Sequence, residues 1–258
     1  MMNDFTPRHY AALCAVVATY GGEILLQSEI MQHGATVARF VGLRHDVDSQ
    51  PARALALARI EAAHGLRATY YFRTVPGPFN PAIIRAVAAL GHEIGYHYEV
   101  LAQTRGDVSA ARALFARELA RLRALAPVQV ASMHGSPLHP WDNRGLWAQA
   151  APADYDLIGE AYRDIDYARV AYLNDTGRTW HPTRYNLRDH TGTAPDFAPE
   201  RTADIIVALR AGTAPPRLIL STHPERWQAS PVAWWRQRAR DVAGNSVKLV
   251  LRRVYRSR

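Results

Sequence analysis

Asp46 and Asp48 stand two residues apart in the stretch Leu43-Arg-His-Asp-Val-Asp48. On an extended chain that spacing sends both carboxylates to one side, about 6.5–7 Å apart at the backbone. At neutral pH the two repel each other unless a cation or a proton intervenes. A cation held by Asp48 leaves Asp46 free to take a proton from water. The competing reading has one of the pair, Asp48 above all, capping the helix that follows. Three histidines are placed in a similar way, because His97, His134 and His223 each stand at the end of a predicted strand. Imidazole and carboxylate together are the ligand types of zinc-like cations and the groups of general acid–base work.

Delivering these side chains to one place needs a particular architecture. Phe40 to Leu43 reads as a buried strand that ends on Asp46 and Asp48, with Ser49 as helix cap and Pro51 in the first turn. Ala52 to His64 then reads as a helix closed by Gly65. Ala68 to Phe72 is a second strand, Asn80-Pro81 opens a second helix, and Gly91 closes it. Glu93 to Tyr96 leads to His97, Ser109 to Leu125 is a long helix, and Val128 to Met133 leads to His134. Arg217 to Leu220 is a late strand, ending at Ser221-Thr-His223. Between Trp141 and Pro199 the chain reads as loop-rich, and no linker divides it, so residues 1–258 are taken as one domain. Strands alternating with helices predict a parallel α/β fold. In a (β/α) barrel the strand ends that carry these residues converge on one face.

Two stretches, Leu43-Arg-His-Asp-Val-Asp48 and Gly91-His-Glu-Ile-Gly-Tyr-His97, resemble the polysaccharide deacetylase superfamily, the family 4 carbohydrate esterases. The strand Ala68-Thr-Tyr-Tyr-Phe72 fits the same template. The resemblance implies a distorted, incomplete (β/α) barrel of about seven strands and hydrolysis of an N-acetyl group on a sugar. By position it makes Asp46 the catalytic base, and Asp48 and His97 ligands of one divalent metal, with zinc the expected ion. It also makes His223 a general acid. The family's second ligand histidine, four residues after the first, is replaced here by Leu101. A third ligand then has to come from His134, Glu99 or His223, in that order of preference. Asp175 could orient His223. Arg44 and His45 could either pair with the aspartates or grip an anionic substrate. Tyr98, Trp180 and Trp227, with Glu99, are candidates for sugar contact, although aromatic residues also fill cores. His92 reads as a hydrogen-bonded core residue. Leu101 keeps open a non-catalytic carbohydrate-binding relative, and the same site would also serve a non-sugar amide.

Composition narrows the field. The lone Cys14 allows no internal disulfide and no multi-cysteine zinc site. No apolar stretch reaches the ~20 residues of a spanning helix. The run from Ala11 to Ala18 reads as a buried helix rather than a signal peptide, which points to the cytoplasm. That location favours a nucleotide-linked or lipid-linked sugar, as in surface polysaccharide or lipopolysaccharide assembly. The net charge is +8, and of 31 Lys and Arg residues only Lys248 is lysine, a bias read mainly as coding background. The Arg-dense C-terminal end could still favour anionic partners. No nucleic-acid-binding signature, Gly-rich dinucleotide loop or phosphate loop is present.

Overall fold

The structure, a computed structural model, describes residues 4–136, 139–182 and 197–256. Its strands are β1 (Glu23–Ile24), β2 (Phe40–Val47), β3 (Thr69–Phe72), β4 (Glu93–Tyr98), β5 (Val128–Met133), β6 (Gly159–Glu160), β7 (Ala171–Asn174) and β8 (Arg217–Thr222). Every pairing among them is parallel. The order is β6-β5-β4-β3-β2-β8-β7, with β1 beside the start of β2. Seven strands therefore form the sheet's continuous path, and β6 and β7 stand at its two ends. The fold is an incomplete (β/α) barrel.

Around the sheet lie α1 (Pro7–Val17), α2 (Gln27–His33), α3 (Pro51–Ala63), α4 (Pro81–Ala89), α5 (Val100–Gln103), α6 (Val108–Arg123), α7 (Thr202–Ala211) and α8 (Pro231–Arg256). The punctuation follows local chemistry. Asn80 caps α4 by accepting from Ile83 N, and Asp107 caps α6 by accepting from Ala110 N. Gly65 and Gly91 take φ of +70° and +88°, which L side chains resist, and so turn the chain out of α3 and α4. α1 buries Tyr10, Leu13, Cys14, Val16 and Val17 in the main core. Among the described residues no helix is long and apolar enough to cross a membrane.

Two local expectations need correction. The residue before α3 that acts as cap is Gln50, at φ 49°, and not Ser49; its side chain makes no capping bond. The stretch read as loops contains β6 and β7, which are too short, at two and four residues, to show a strand period.

Side-chain alternation along the strands sorts residues into two layers. Leu43 and Val47 of β2 join the core beneath the helices, whereas Phe40 packs with Leu25, Tyr172 and Ile219 in a second cluster. His45, between Arg44 and Asp46, falls on the helix side. There its Nε2 lies 2.6 Å from Glu61 Oε1 and its Nδ1 2.5 Å from Thr222 Oγ1. Glu61 also accepts from the Tyr70 hydroxyl at 2.6 Å and from Tyr10. Burial alone would raise the Glu61 carboxyl, but His45 foremost holds it below the usual carboxylate range.

A carboxylate so depressed stabilises the fold above its unfolded pKa, and the gain is lost as pH falls through the lower folded value. Glu61→Leu removes the buried acceptor shared by His45, Tyr10 and Tyr70. It should cost about 3–5 kcal/mol, a fall in melting temperature of about 6–15 °C near pH 7. Thermal melts from pH 3 to 7 should also show a flatter acid limb in the variant. Equal melting temperatures for the two proteins would contradict this role.

Candidate active site at the strand ends

On the other layer, alternation brings together Arg44, Asp46 and Asp48 from β2 and its end, Arg73 beyond β3, and His97 and Glu99 from β4. Ser132 and His134 come from β5, and Ser221 and His223 from β8. The pairing places Arg44 beside Thr69 and Thr69 beside Glu93, so the same register carried forward sets Asp48, Arg73 and His97 side by side.

Asp48 sits at the centre of three imidazoles. Its Oδ1 lies 3.3 Å from His97 Nε2 and 3.6 Å from His134 Nε2, and its Oδ2 lies 4.0 Å from His223 Nε2. Each ring is fixed from behind. His97 Nδ1 meets the Ser132 carbonyl at 3.0 Å, and a carbonyl can only accept, so Nδ1 carries the proton. His134 Nδ1 meets Glu99 Oε2 at 2.9 Å, and His223 Nδ1 meets Asp175 Oδ1 at 2.6 Å. Burial would raise the Glu99 carboxyl, but its bond to His134 and then the charges of His134 and Arg73 bring it to about 2. Asp175 behaves alike: burial opposes, and Arg226 followed by His223 lowers it to about 2. With every Nδ1 occupied, each Nε2 is the atom turned toward Asp48. Yet Asp48 Oδ1, itself buried, accepts no hydrogen bond from the described residues.

The charges around Asp48 are strongly coupled. Burial opposes ionisation, but His134 and then His97 hold its carboxyl well below the usual range. His97 is raised in turn: burial lowers it, and Asp46 followed by Asp48 more than compensates. Among the described residues, no group of three or more His, Cys, Asp or Glu side chains is arranged to hold a metal ion as it stands.

Asp46 faces a different partner. Arg44, wholly buried, grips it through Nε at 2.9 Å and a terminal nitrogen at 3.0 Å. Burial would raise the Asp46 carboxyl, and Arg44 foremost lowers it below its ordinary value. Arg44 also donates to Ser132 Oγ at 2.6 Å and lies 4.9, 5.0 and 5.7 Å from the ring centroids of Tyr71, Tyr162 and Tyr172. Gly95 makes room for this cage, because a Cβ there would come within 2.4 Å of the Tyr71 ring.

No protein-family model matches the chain, and no curated protein matches it. Similar solved structures are family 4 carbohydrate esterases. One from Streptomyces lividans, in complex with acetate, is 18% identical over 80% of this chain and 88% of that one, with a TM-score of 0.42. A Streptococcus mutans esterase of the family is 14% identical over 90% of this chain and 88% of that one, TM-score 0.45. A family pseudoenzyme from Bacillus anthracis is 13% identical over 82% of this chain and 64% of that one, TM-score 0.46.

Several sequence-derived assignments need correction. Tyr98, Trp180 and Trp227 are wholly buried and cannot stack on a sugar. Tyr98, between His97 and Glu99, falls on the helix side and accepts from Trp147 Nε1 at 2.7 Å. Trp180 donates to Thr202 Oγ1 at 3.1 Å and Trp227 to Asp175 Oδ2 at 2.9 Å. His45 belongs to the Glu61 network and Arg44 to Asp46, so neither is placed to hold substrate. Glu99 stands behind His134, where Arg73 also binds it. Leu101 is buried in the core. His92 is held in the core between the Ala68 amide at 3.2 Å and the Ala58 carbonyl at 2.9 Å.

Two residues were missed. Arg73 fixes Glu99, and its terminal nitrogen donates to the Asp48 carbonyl at 3.3 Å. Glu225 is buried near Asp48 and His223; burial and then the charge of Asp48 push its carboxyl up to about 7. Both could have been found by position, since Arg73 directly follows a strand and Glu225 lies two residues after His223.

Proposed function

We propose that this chain is a metal-dependent deacetylase, a hydrolase of the linear amide of an N-acetylated sugar. One observation carries the reading. Two imidazole Nε2 atoms, each with its Nδ1 already committed, face a buried carboxylate oxygen that accepts no hydrogen bond from the described residues. Two lone pairs against an anion are stable only with a proton or a cation between them. Two donors of a tetrahedral zinc ion lie about 3.3–3.5 Å apart; the 3.3 Å contact of Asp48 with His97 falls in that range and the 3.6 Å contact with His134 lies just above it. One carboxylate and two histidines, each oriented by a second partner, are a donor set that suits zinc. Asp48, His97 and His134 would hold the ion, with His134 in the role that Leu101 cannot fill.

Such a cation supplies Lewis acidity, polarising the amide carbonyl and making water easier to ionise near pH 7. The remaining chemistry belongs to this chain. Asp46 is ionised and fixed by Arg44, so it can accept a proton from the attacking water at Oδ1 or Oδ2. His223 can return a proton to the leaving amine from Nε2, because Nδ1 is tied to Asp175. Burial and then Arg226 lower the His223 pKa, but Asp175 and Asp48 outweigh them and leave it raised. Its acid form therefore persists at higher pH than that of a free imidazole.

Asp175→Asn should move the alkaline limb of kcat/KM to lower pH, because burial and Arg226 then prevail over Asp48. It should also cut kcat by about 10²–10³-fold, since a general acid held at the wrong angle is lost. A pH–rate profile that keeps its alkaline limb in place would remove Asp175 from this positioning role.

We place the substrate among nucleotide-linked or lipid-linked sugars of surface polysaccharide or lipopolysaccharide assembly, and the protein in the cytoplasm. Acetate release from N-acetylated sugar nucleotides and oligosaccharides, measured with chelator and with added zinc, tests the activity. Release that stops on chelation and returns with metal is the expected result. A zinc-loaded protein that releases no acetate from either class would overturn it.

A further inference from the structure

Beside the strand-end site lies a cavity of about 300 Å³ with a different character. Gln50, Gln228, Ser230, Arg236, Gln237 and Arg240 line it. Its lining is tied to the site. Gln50 follows Asp48 by two residues, and Gln228 Nε2 donates to Gln50 Oε1 at 3.1 Å and to the Glu225 carbonyl at 2.6 Å. Gln228 is only 2% exposed, and its Oε1 has no hydrogen-bond partner among the described residues. A buried amide oxygen left unmatched costs about 1–3 kcal/mol, so its place in this wall needs a reason. Gln50 holds a left-handed φ of 49°, a conformation uncommon outside glycine, and thereby keeps its side chain against Gln228.

Arg236 and Arg240, which also line the cavity, stand one helical turn apart on α8, so their side chains share a face. Both are exposed, and among the described residues neither forms an ion pair. Two guanidinium forks without acidic partners suit phosphate oxygens. The unmatched Gln228 oxygen, an acceptor, suits a hydroxyl. The volume is at the lower end for small-molecule sites.

We infer that this cavity is a subsite for a phosphoryl group carried by the substrate, with Arg236 and Arg240 on a phosphate or diphosphate and Gln228 on a neighbouring hydroxyl. The sugar part of the inference rests on the deacetylase reading; the phosphoryl part does not.

Isothermal titration calorimetry on the full chain separates the two. The probes are inorganic pyrophosphate and uridine diphosphate, and the proteins are wild type, Arg236→Gln/Arg240→Gln and Asp48→Ala. Wild type and Asp48→Ala should bind with equal affinity, and the double variant should bind about tenfold or more weakly, the loss of a charge-assisted hydrogen bond. Tighter binding of uridine diphosphate than of pyrophosphate assigns the cavity to nucleotide-linked sugars. Equal binding of both probes assigns it to a bare diphosphate, as on a lipid carrier. No binding by wild type, undiminished binding by the double variant, or loss of binding in Asp48→Ala would overturn the inference. Absence of acetate release with the calorimetry as described would sink the deacetylase reading and leave the cavity standing.

Discussion

Asp48→Ala is expected to abolish zinc-dependent behaviour altogether. Second-sphere changes at metal sites already cost about 10–100-fold in affinity, and Asp48 lies within 4.0 Å of all three imidazoles. Zinc affinity should therefore fall by more than about 100-fold, and acetate release by about 10³-fold or more. The thermal signature is equally large. At zinc a hundred times its Kd, binding stabilises a protein by about 2.7 kcal/mol, about 5–10 °C in a chain of this size. The wild-type melting temperature should rise by that amount on adding zinc, and the Asp48→Ala melting temperature should not move. A variant that still gains several degrees would show that the ion sits elsewhere.

Asp46→Asn should separate base from ligand. Loss of a positioned general base costs about 10²–10⁴-fold, whereas zinc content should stay at the wild-type level because Asp46 is engaged by Arg44. The substitution also leaves Arg44, wholly buried, without its counter-charge. Removing one partner of a buried pair costs about 3–5 kcal/mol, and asparagine, which still accepts a hydrogen bond, should lie at the low end of that range. The expected protein is folded, metal-replete, less stable and inactive. Activity within a few-fold of wild type would exclude Asp46 as the base, and loss of metal would make it a ligand instead.

Much of the fold could be read in the sequence because its signals are local. Asn80, Gly65 and Gly91 mark helix ends through capping and positive φ, and short apolar runs between helices announce a parallel sheet. β6 and β7 could not be read. At two and four residues they carry no period, and they are strands only because β5 and β8 offer them a ladder.

The residues gathered at the strand ends were visible as strand-terminal Asp and His. What surrounds them was legible only in part. The two-residue alternation that sets Asp46 and Asp48 on one side also puts His45 on the other, and likewise Tyr98 between His97 and Glu99. A substrate contact for either residue conflicts with a rule the sequence itself displays. Trp180 and Trp227 are different. Their burial depends on packing with Phe5 from the far N-terminus, which lies 6.3 Å from one ring and 5.2 Å from the other, centroid to centroid. No local pattern encodes that contact. Arg44 in its tyrosine cage is likewise a product of separate strand regions, and the cavity joins Gln50 and Gln228, from two distant loops, to α8.

The proposed activity depends on a divalent cation that Asp48, His97 and His134 would share. Anomalous diffraction at the zinc edge, from crystals grown with zinc, tests this directly. The predicted result is one strong peak about 2.0–2.2 Å from a carboxylate oxygen of Asp48 and from Nε2 of both histidines. A map without that peak, or with zinc bound away from Asp48, would contradict it.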